Sequence, residues 1–409
     1  MPYLNRLAEE KFLRLSHNFP VVLVCGPRQI GKTTMLQHLA EKENRTFVTL
    51  DDLSVRAMAN DDPALFFQNF KTPIIIDEIQ KAPPLFSQIK LLVDQNKKMG
   101  EIWLTGSQSF SLMKNVSESL AGRVGLLNMY SFTLQEIQQT LSKQQLMHFD
   151  FDTVSAAAKQ ATPIPANEIF EHIFFGGMPN VIQKDAEARK DYFFSYVNTY
   201  LLKDAMDFGG ISDSVRFYKF LEGCASQVSQ QLNLATLASV AGISEPTAKI
   251  WLETLQGMGI VYLLHPYSNN NLKRLIKTPK LYFYDTGLCA YLLKWPNAET
   301  LQRGPLAGAM FENFVVNQFQ IKYQLLSGAP ELYYYRDTSA KEVDLLLSDF
   351  DSITPIEIKT TATPKRSDLS KFEVLEQFKK KINPGGIICN IEQPLKGSEK
   401  HTFIPVNIL

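Results

Sequence analysis

Cysteine is scarce in this sequence, with four residues in a chain of 409. They stand far apart, so none forms the CxxC pair of a metal or redox motif, and they are too few for a disulfide scaffold. We therefore expect free thiols, buried or half-buried, in a protein of a reducing compartment. The four residues are Cys25, Cys224, Cys289 and Cys389.

Net charge is also absent, because 42 basic side chains balance 42 acidic ones. This balance excludes a uniformly basic nucleic-acid coat and a uniformly acidic tail, although local patches of either sign remain compatible with it. No stretch approaches the roughly 18 uncharged apolar residues of a membrane span, and the N-terminus lacks the apolar core of a signal peptide. We expect a cytoplasmic protein without a membrane partner.

Apolar runs and helix-like segments alternate over the first third of the chain. The runs are continuous rather than alternating, which is typical of strands buried on both faces of a parallel sheet. This alternation predicts an α/β fold. The five runs occupy 21–26, 47–50, 73–77, 101–106 and 124–129.

The pattern changes after the fifth run and predicts three further segments. A polar, irregular stretch at 138–168 is expected to be a connector or variable lid, and a helix-rich stretch with a GGMP break at 176–179 follows it. The predicted boundaries are 1–137 for the parallel-sheet domain, 138–230 for the connector and helical region, 231–304 for a winged-helix-like domain and 305–409 for a second α/β domain.

The segment after the first apolar run matches the phosphate-binding loop pattern GxxxxGK[ST]. Its glycines let backbone N–H groups turn toward phosphates, and the following helix directs its positive end at them. Lys32 would supply charge between the β- and γ-phosphates of ATP, and Thr33 would offer a hydroxyl to Mg²⁺. The expected ATP-binding residues are Gly26, Pro27, Arg28, Gln29, Ile30, Gly31, Lys32, Thr33 and Thr34.

An apolar strand that ends in Asp77 and Glu78 follows, as in a Walker B motif. Asp77 would hold Mg²⁺, directly or through water, and Glu78 would polarise the attacking water. The next strand ends in a polar turn, where Thr105, Ser107 and Gln108 are candidates for sensing the γ-phosphate. Each of these three could equally be an ordinary turn residue.

Arg123 precedes the fifth strand, at an edge where the nucleotide of a neighbouring subunit could approach. An arginine there can act as an arginine finger, which stabilises the charge on a transferring phosphoryl group. A surface salt bridge is the equally weighted alternative. The finger role requires the chain to form a homo-oligomer.

Together these motifs resemble the prokaryotic AAA-type P-loop ATPase family whose members carry a C-terminal domain of unknown function. The resemblance rests on GPRQIGKTT, IIIDEIQKAPPLF, LTGSQSFSLM and SLAGR, and nearer the C-terminus on FFGGMPNVI, YLLKDA and KLYFYDTGLCAYLL. It implies ATP binding and slow hydrolysis, but no particular cellular task. The site residues that it implies are Gly26, Gly31, Lys32, Thr33, Asp77 and Glu78.

Residues 232–264 have the pattern of helix, turn, helix and strand. Gly242 fits the turn, and Ser244 fits the N-cap of the second helix. This order predicts a winged helix, with the basic segment 269–280 as its wing. The wing would carry Lys273, Arg274, Lys277 and Lys280.

The winged helix has two open interpretations. DNA contact, mostly through the wing, is one of them. The exposed side of the second helix carries Glu245 and Glu253 beside Lys249, and two acids do not favour phosphate contact there. A lid or a protein-docking unit is the alternative.

Four side chains near the C-terminus resemble the core of PD-(D/E)xK nucleases. Asp344 opens one strand, while Glu357 and Lys359 stand two residues apart on the next and therefore face the same side. The acids would bind Mg²⁺ or Mn²⁺, the lysine would position water, and Glu312 from a helix would join them. Val343 replaces the literal proline, and such a fold can keep these residues without cleaving anything.

The expected fold class is α/β, with an N-terminal P-loop NTPase parallel sheet, a helical and winged-helix middle, and a C-terminal restriction-endonuclease-like domain. The first functional hypothesis is a Mg²⁺-dependent ATPase that acts on nucleic acid as a motor or switch. The second is a nucleotide-driven protein-interaction switch with an inactive nuclease-like domain, and the third is a nucleotide-binding protein that hardly turns over. The candidate partners are ATP, DNA or other nucleic acid, and further copies of the chain.

Overall fold

The computed structural model describes residues 3–41, 43–107, 110–140, 149–209, 211–268 and 277–409. Gln108, Lys273 and Arg274, which the sequence singled out, lie outside these ranges. Within the described part of the chain, no helix is long and apolar enough to cross a membrane.

The N-terminal sheet is built from parallel strands, as the continuous apolar runs predicted. Its strands within the described ranges are β1 (Val21–Gly26), β2 (Thr46–Thr49), β3 (Ile74–Asp77), β4 (Ile102–Ser107) and β5 (Val124–Asn128). Their spatial order is β2-β3-β4-β1-β5. The three central strands are buried along their whole length, which explains why their sequences do not alternate between apolar and polar residues.

Helices pack on both faces of this sheet. Val22 and Val24 of β1 join one hydrophobic core, and Leu23 and Cys25 join a second one. Successive residues of a strand point to opposite faces, so the sheet separates the two cores. The helices of this domain are α1 (Ala8–Asn18), α2 (Lys32–Ala40), α3 (Leu53–Asp61), α4 (Pro63–Asn69), α5 (Leu85–Asn96), α6 (Phe110–Ser119) and α7 (Leu134–Gln138).

The position of β4 between β1 and β3 brings three strand ends together. Gly26 at the end of β1 is aligned with Ser107 at the end of β4, and Ile76 of β3 is aligned with Leu104. Because parallel strands finish at the same edge of a sheet, Asp77 lies next to Thr105 and close to the loop that follows β1. The topology therefore assembles the predicted site from segments that are distant in sequence.

The middle of the chain is mostly helical. Its helices are α8 (Phe151–Ala158), α9 (Ala166–Phe175), α10 (Ala186–Tyr196), α11 (Leu202–Gly209), α12 (Ser214–Ser226), α13 (Leu234–Ala241) and α14 (Glu245–Gly257). A π-helical turn, Val197–Leu201, joins α10 to α11.

Helix α8 corrects the expectation that residues 138–168 are irregular throughout. Asp150 caps this helix by accepting a hydrogen bond of 2.9 Å from the backbone N–H of Thr153. The ring of Phe151 is buried and lies against Gly386 in the C-terminal domain. A short helix in a polar segment is anchored here by the buried side chains of Phe151 and Ala158.

The predicted turn between α13 and α14 is present at Gly242, which has a φ of +68°. Ser244 caps α14, since its hydroxyl accepts from the N–H of Thr247 at 3.3 Å. Strand β6 (Val261–Leu264) follows and pairs antiparallel with β7 (Lys280–Phe283). The order of elements agrees with a winged helix, but most of the wing lies outside the described residues, so the winged helix stays a prediction.

The C-terminal domain contains a mixed sheet with helices before it. Across the described residues its strands are β8 (Glu331–Arg336), β9 (Glu342–Ser348), β10 (Ser352–Lys359), β11 (Lys381–Ile382), β12 (Gly386–Cys389), β13 (Leu395–Lys396) and β14 (Thr402–Pro405). The helices are α15 (Thr286–Leu292), α16 (Ala298–Arg303) and α17 (Ala307–Leu325), with 3₁₀ segments at Arg366–Gln377 and Val406–Ile408. Strand order is β13-β14-β12-β10-β9-β8, with β11 beside β10.

The sequence predicted the strand that Asp344 opens and the strand of Glu357 and Lys359, which are present as β9 and β10. It missed β11, β13 and β14. Two of the missed strands have only two residues, and such short segments carry no periodicity. The hairpin between β9 and β10 is also tighter than expected, because β10 begins at Ser352. Strands β9 and β10 are antiparallel, whereas β10 and β12 are parallel.

All four cysteines are free and buried, which confirms the expectation of unpaired thiols. Burial raises the pKa of Cys25 to about 12. A thiol with such a pKa stays protonated and unreactive at neutral pH. These cysteines therefore pack as small apolar residues.

A glycine contact joins the helical region to the N-terminal domain. The N–H of Phe132 donates to the carbonyl oxygen of Gly177 at 2.8 Å, and a Cβ on Gly177 would lie 2.2 Å from the carbonyl oxygen of Phe132. We expect Gly177→Ala to lower the free energy of unfolding by about 2 kcal/mol, because the backbone must move to admit the methyl group.

Urea denaturation of the full chain measures this loss. The matched control is Gly308→Ala, because a Cβ there meets no atom within 4 Å. Its free energy of unfolding should change by less than about 0.5 kcal/mol. Equal losses in the two variants would contradict the proposed clash.

Candidate functional site

The loop between β1 and α2 is held in a backbone conformation that suits glycine. Gly26 and Gly31 have φ angles of +148° and +91°, and Gln29 between them has +61°. A Cβ on Gly26 would lie 2.1 Å from the carbonyl oxygen of Met129. Ile30 is buried and anchors the loop in the core. The shape of the loop is thus fixed by its packing.

The N-terminus of α2 is suited to bind an anion. Gly31 is its N-cap residue, and no side chain in the described ranges caps this end of the helix. Uncapped N–H groups and the helix dipole together favour negative charge at this point. Around them Pro27 and Arg28 are half-buried and Thr34 is exposed.

Lys32 carries a buried positive charge inside the loop. Its ammonium group donates to the carbonyl oxygens of Gly26 at 3.0 Å and Pro27 at 2.7 Å. Burial lowers the pKa of Lys32, while the negative charges of Glu78 and Asp77 act in the opposite direction. The lysine is therefore directed at the position that phosphates would take.

Asp77 lies at the centre of a group of hydroxyls. Its Oδ1 accepts from the hydroxyls of Thr33 at 2.5 Å and Thr105 at 2.7 Å, and its Oδ2 accepts from Thr49 at 3.2 Å. Carboxylate and hydroxyl oxygens are the ligands that Mg²⁺ prefers. Thr33 and Asp77 lie side by side, so the residues present fit the Mg²⁺ that the sequence predicted.

Glu78 has an unusual backbone for a residue other than glycine, with a φ of +60°. Its N–H donates to the hydroxyl of Thr105 at 3.1 Å, and its Oε2 accepts from the side-chain amide of Gln80. Positive φ at such a residue costs free energy and is concentrated at functional sites. Thr105 thus holds the backbone of Glu78 at the end of β3, and Gln80 holds its carboxylate.

Ser107 lies beside Gly26 across the β1–β4 pairing. Its hydroxyl is buried and has no hydrogen-bond partner among the described residues. A buried hydroxyl without a partner is costly in a folded protein. This position suits a group that contacts a bound phosphate or its attacking water, as the sequence predicted for the end of this strand.

Arg123 lies at the opposite edge of the sheet. Its carbonyl oxygen accepts a hydrogen bond from the N–H of Val21, at the start of β1. The phosphate loop begins at the other end of this strand, roughly 17 Å away if each residue adds about 3.3 Å. Its guanidinium forms two hydrogen bonds with Asp94, of 2.6 and 3.0 Å. Arg123 thus forms the surface salt bridge, and a finger role in another subunit stays a prediction.

A narrow cleft lies between the loop and the helical region. Arg28 spans its edge, where the guanidinium donates to both carboxylate oxygens of Asp204, at 2.7 and 2.9 Å. Asp204 belongs to α11 and is 7% exposed. Ser107 and Tyr200 also line the cleft. The phosphate loop is therefore bound directly to the helical region.

Arg6 supports the loop from behind. It donates to the carbonyl oxygens of Ile30 at 3.1 Å and Tyr130 at 2.5 Å. It also pairs with the carboxylate of Glu136 at 3.0 Å, and both side chains are nearly inaccessible. This buried pair ties the N-terminal segment to the loop and to α7.

The GGMP break reaches the loop from the helical region. Asp285 accepts the N–H of Gly177 at 2.9 Å, and a Cβ on Gly176 would lie 2.5 Å from the same carboxylate. Pro179 follows and lies about 4.0 Å from a Cβ built on Gly31. The break therefore positions a short segment against the phosphate loop.

The predicted nuclease-like residues come together at one face of the C-terminal sheet. The N–H of Ile358 donates to Asp344 at 2.9 Å, and Lys359 pairs with Glu357 at 2.9 Å. Burial raises the pKa of Glu357 and of Glu312 to about 7, and the charge of Asp344 acts on both in the same direction. The three carboxylates and the lysine thus form one electrostatic cluster.

Further cations neutralise this cluster. Lys280 bridges Glu312 at 2.8 Å and Glu342 at 2.6 Å, and Lys371 contacts Glu357 at 2.5 Å. In the part of the chain that the structure describes, no group of three or more His, Cys, Asp or Glu is arranged to hold a metal ion. The second Mg²⁺ or Mn²⁺ therefore stays a prediction.

Four side chains that contact the site residues or the phosphate loop were not predicted from the sequence. Thr49 and Gln80 contact Asp77 and Glu78, yet neither was assigned a role from the sequence, although Gln80 lies within the IIIDEIQKAPPLF motif. Arg6 could have been suspected, because its partner Glu136 completes a capping-box pattern with Thr133, which the structure contains. The fourth, Asp204, lies within the YLLKDA segment, but no local pattern pairs it with the loop.

Loss of the Arg6 charge should destabilise the N-terminal domain. We expect Arg6→Met to lower the free energy of unfolding by about 3 kcal/mol, because it leaves the Glu136 carboxylate buried without its partner. The control is Arg303→Met, which breaks a surface pair with Glu299 whose side chains are 79% and 67% exposed. That change should cost less than about 1 kcal/mol in the same denaturation experiment. A similar cost for both variants would count against a buried pair at Arg6.

Comparison with protein families divides the chain in three. Residues 18–138 match the model of an AAA domain. Residues 166–299 match a domain of unknown function, DUF8612, and residues 307–409 match another, DUF4143.

Uncharacterized proteins of Mycobacterium bovis and Mycobacterium tuberculosis are similar along most of the chain. Each is 29% identical over 368 residues, which cover 89% of this chain and 75% of the relative. Their similarity shows that the three segments occur together in other proteins.

Two solved structures are similar to parts of this chain, with low TM-scores. A Walker-type ATPase of Pyrococcus abyssi is 14% identical with a TM-score of 0.44 and covers 71% of this chain and 96% of its own. The RuvB Holliday-junction branch-migration motor of Thermotoga maritima is 17% identical with a TM-score of 0.32 and covers 63% and 89%. The domain match and the geometry of the loop together support an AAA-type P-loop domain in residues 18–138.

Proposed function

We propose that the chain binds ATP with Mg²⁺ at the phosphate loop and hydrolyses its γ-phosphate. The observation that carries the proposal is the meeting of Lys32, the Thr33–Asp77 pair and Glu78 at one edge of the sheet. Backbone N–H groups of the loop bind the phosphates, and Lys32 neutralises charge on them. When bound, Mg²⁺ would add further positive charge between the phosphates, held by Thr33 and Asp77.

Glu78 takes the proton of the attacking water in this proposal. Its carboxylate is fixed by Gln80, and its backbone by Thr105, so that it faces the end of the phosphate loop. The hydroxyl of Ser107 lies at the same edge and orients the water or the γ-phosphate. Positioning and electrostatic stabilisation supply most of the rate in phosphoryl transfer, and these side chains provide both.

Phosphate release by the full chain tests the assignment of these roles. Lys32→Ala should lose both ATP binding and hydrolysis, because the loop then lacks its charge. Glu78→Gln should keep ATP with an affinity within about threefold and release phosphate at least about 100 times more slowly. Chelation of Mg²⁺ should stop phosphate release by the unchanged chain.

The matched controls are Lys90→Ala and Glu118→Gln, which alter exposed residues of α5 and α6. Both should hydrolyse ATP like the unchanged chain. Unchanged turnover in Glu78→Gln would exclude that residue as the base. Hydrolysis that survives Lys32→Ala would exclude the loop as the site.

We also propose that the bound nucleotide controls the conformation of the C-terminal two thirds of the chain, and that this part of the chain then acts on nucleic acid. The support for a switch is that Arg28 and Gly31 contact the helical region directly. The support for nucleic acid is the cluster of Glu312, Asp344, Glu357 and Lys359, whose residue types suit metal-dependent cleavage of a phosphodiester. Arg123 would complete the active site of a second copy.

The alternative is a protein-interaction switch whose nuclease-like domain is inactive. Lys280 and Lys371 favour it, because they already neutralise Glu312 and Glu357. The exposed face of α14 favours it too, since Glu245 and Glu253 lie there with a single lysine between them.

A DNA assay separates the two functions. The full chain, with and without ATP, is incubated with plasmid in Mg²⁺ or Mn²⁺, and retention of labelled DNA is measured as salt rises. Nucleic-acid action predicts salt-dependent retention, and cleavage that Asp344→Ala abolishes while retention persists. The matched control Asp351→Ala, at the exposed tip of the β9–β10 hairpin, should cleave normally.

Equal cleavage by Asp344→Ala and the unchanged chain would mark a contaminating nuclease and remove the cleavage proposal. Absence of retention even at low salt would favour the protein-interaction switch. Retention without cleavage would leave a nucleic-acid switch with an inactive nuclease-like domain.

A further inference from the structure

The cleft beside the phosphate loop is lined from both sides by different parts of the chain. The loop contributes Gly26, Pro27 and Arg28, and β4 contributes Ser107. The opposite wall is formed by the helical region, including Tyr200 and Asp204, and by residues at the end of α14. Ser107, whose buried hydroxyl has no partner among the described residues, is thus one of the residues that line a space closed by the helical region.

The contact across this cleft is a bidentate pair between Arg28 and Asp204. Both guanidinium-to-carboxylate distances are short, at 2.7 and 2.9 Å, and Asp204 is 7% exposed. The negative charge of Glu78 acts to raise the pKa of Arg28, so the guanidinium interacts electrostatically with the proposed catalytic base. Arg28 therefore stands between the catalytic edge of the ATPase domain and α11.

A guanidinium offers the same forked donors to a carboxylate and to a phosphate. A nucleotide with a γ-phosphate would bring more negative charge to this edge than a nucleoside diphosphate. That phosphate would compete with Asp204 for the donors of Arg28 and would repel its carboxylate. The pair is consequently sensitive to the number of phosphates at the loop.

The π-helical turn Val197–Leu201 directly precedes α11, and such turns interrupt regular helical hydrogen bonding, often at functional sites. A change at Asp204 can move α11 against α10 at this turn. The side chains in the first turn of α11 that face the phosphate loop would move together with the helix.

We propose that Arg28 is a ligand of the terminal phosphate of a nucleoside triphosphate, supplied by the same chain, and that Asp204 competes with that phosphate for it. Triphosphate binding releases Asp204 and α11, and diphosphate leaves the Arg28–Asp204 pair closed. This inference rests on the proposed ATP site and adds the residue pair that distinguishes the two nucleotides.

Equilibrium binding of ADP and of adenosine 5′-(β,γ-imido)triphosphate to the full chain with Mg²⁺ tests the inference. Asp204→Asn should tighten triphosphate binding by at least about fivefold and change ADP binding by less than about twofold, because the competing charge is gone. Arg28→Gln should weaken triphosphate binding selectively. In the double variant that combines Arg28→Gln with Asp204→Asn, the tighter triphosphate binding caused by Asp204→Asn should disappear.

The matched control is Asp191→Asn, which removes one exposed carboxylate from α10 and should leave the ratio of the two affinities unchanged. Thermal unfolding checks that each variant is folded, and Arg28→Gln carries the test alone if Asp204→Asn does not fold. Equal effects on both nucleotides, or none, would overturn the inference while the ATP site stands. Binding that is absent, or insensitive to Lys32→Ala, would overturn both.

Discussion

The parallel pairing of β1 with β4 is the constraint on which the rest of the site depends. This register sets Gly26 beside Ser107 and Asp77 beside Thr105, so that the phosphate loop, the proposed magnesium ligand and the proposed base meet at one edge. Thr105 then links two functions, because its hydroxyl donates to Asp77 and accepts the N–H of Glu78. A strand in another position would leave each of these groups without its neighbour. The chemistry of the domain therefore follows from strand order rather than from any single motif.

The phosphate loop is also the point where distant parts of the chain meet. Arg6 holds it from the N-terminal segment, Pro179 approaches it from the GGMP break, and Asp204 binds Arg28 from α11. The Arg6 contact is buried, and Asp204 is 7% exposed, so a change in the shape of the loop would disturb these neighbours. The loop can in this way pass the state of its nucleotide to the helical region. In contrast, Arg123 is bound to Asp94 at the far edge and takes no part in this set of contacts.

The sequence was informative wherever residues that act together are also close along the chain. The loop Gly26–Thr33, the strand that ends in Asp77 and the Glu357–Lys359 pair were predictable because strand and helix periods fix their local geometry. The Arg28–Asp204 pair was not, since 176 residues separate its members and no local rule relates them. Lys280 was expected to serve a basic wing, but it is buried between Glu312 and Glu342. Helix α8 was missed because its anchors Phe151 and Ala158 lie in a segment that is otherwise largely polar.

In the proposed mechanism, the number of phosphates at the loop controls α11. Hydrogen–deuterium exchange of the backbone amides in 202–206 measures this directly, in the full chain with Mg²⁺ and either ADP or the imidotriphosphate. We expect faster exchange with the triphosphate, because Asp204 has then left Arg28 and α11 opens more often. Exchange that is identical with the two nucleotides, at concentrations that saturate the loop, would contradict the claim.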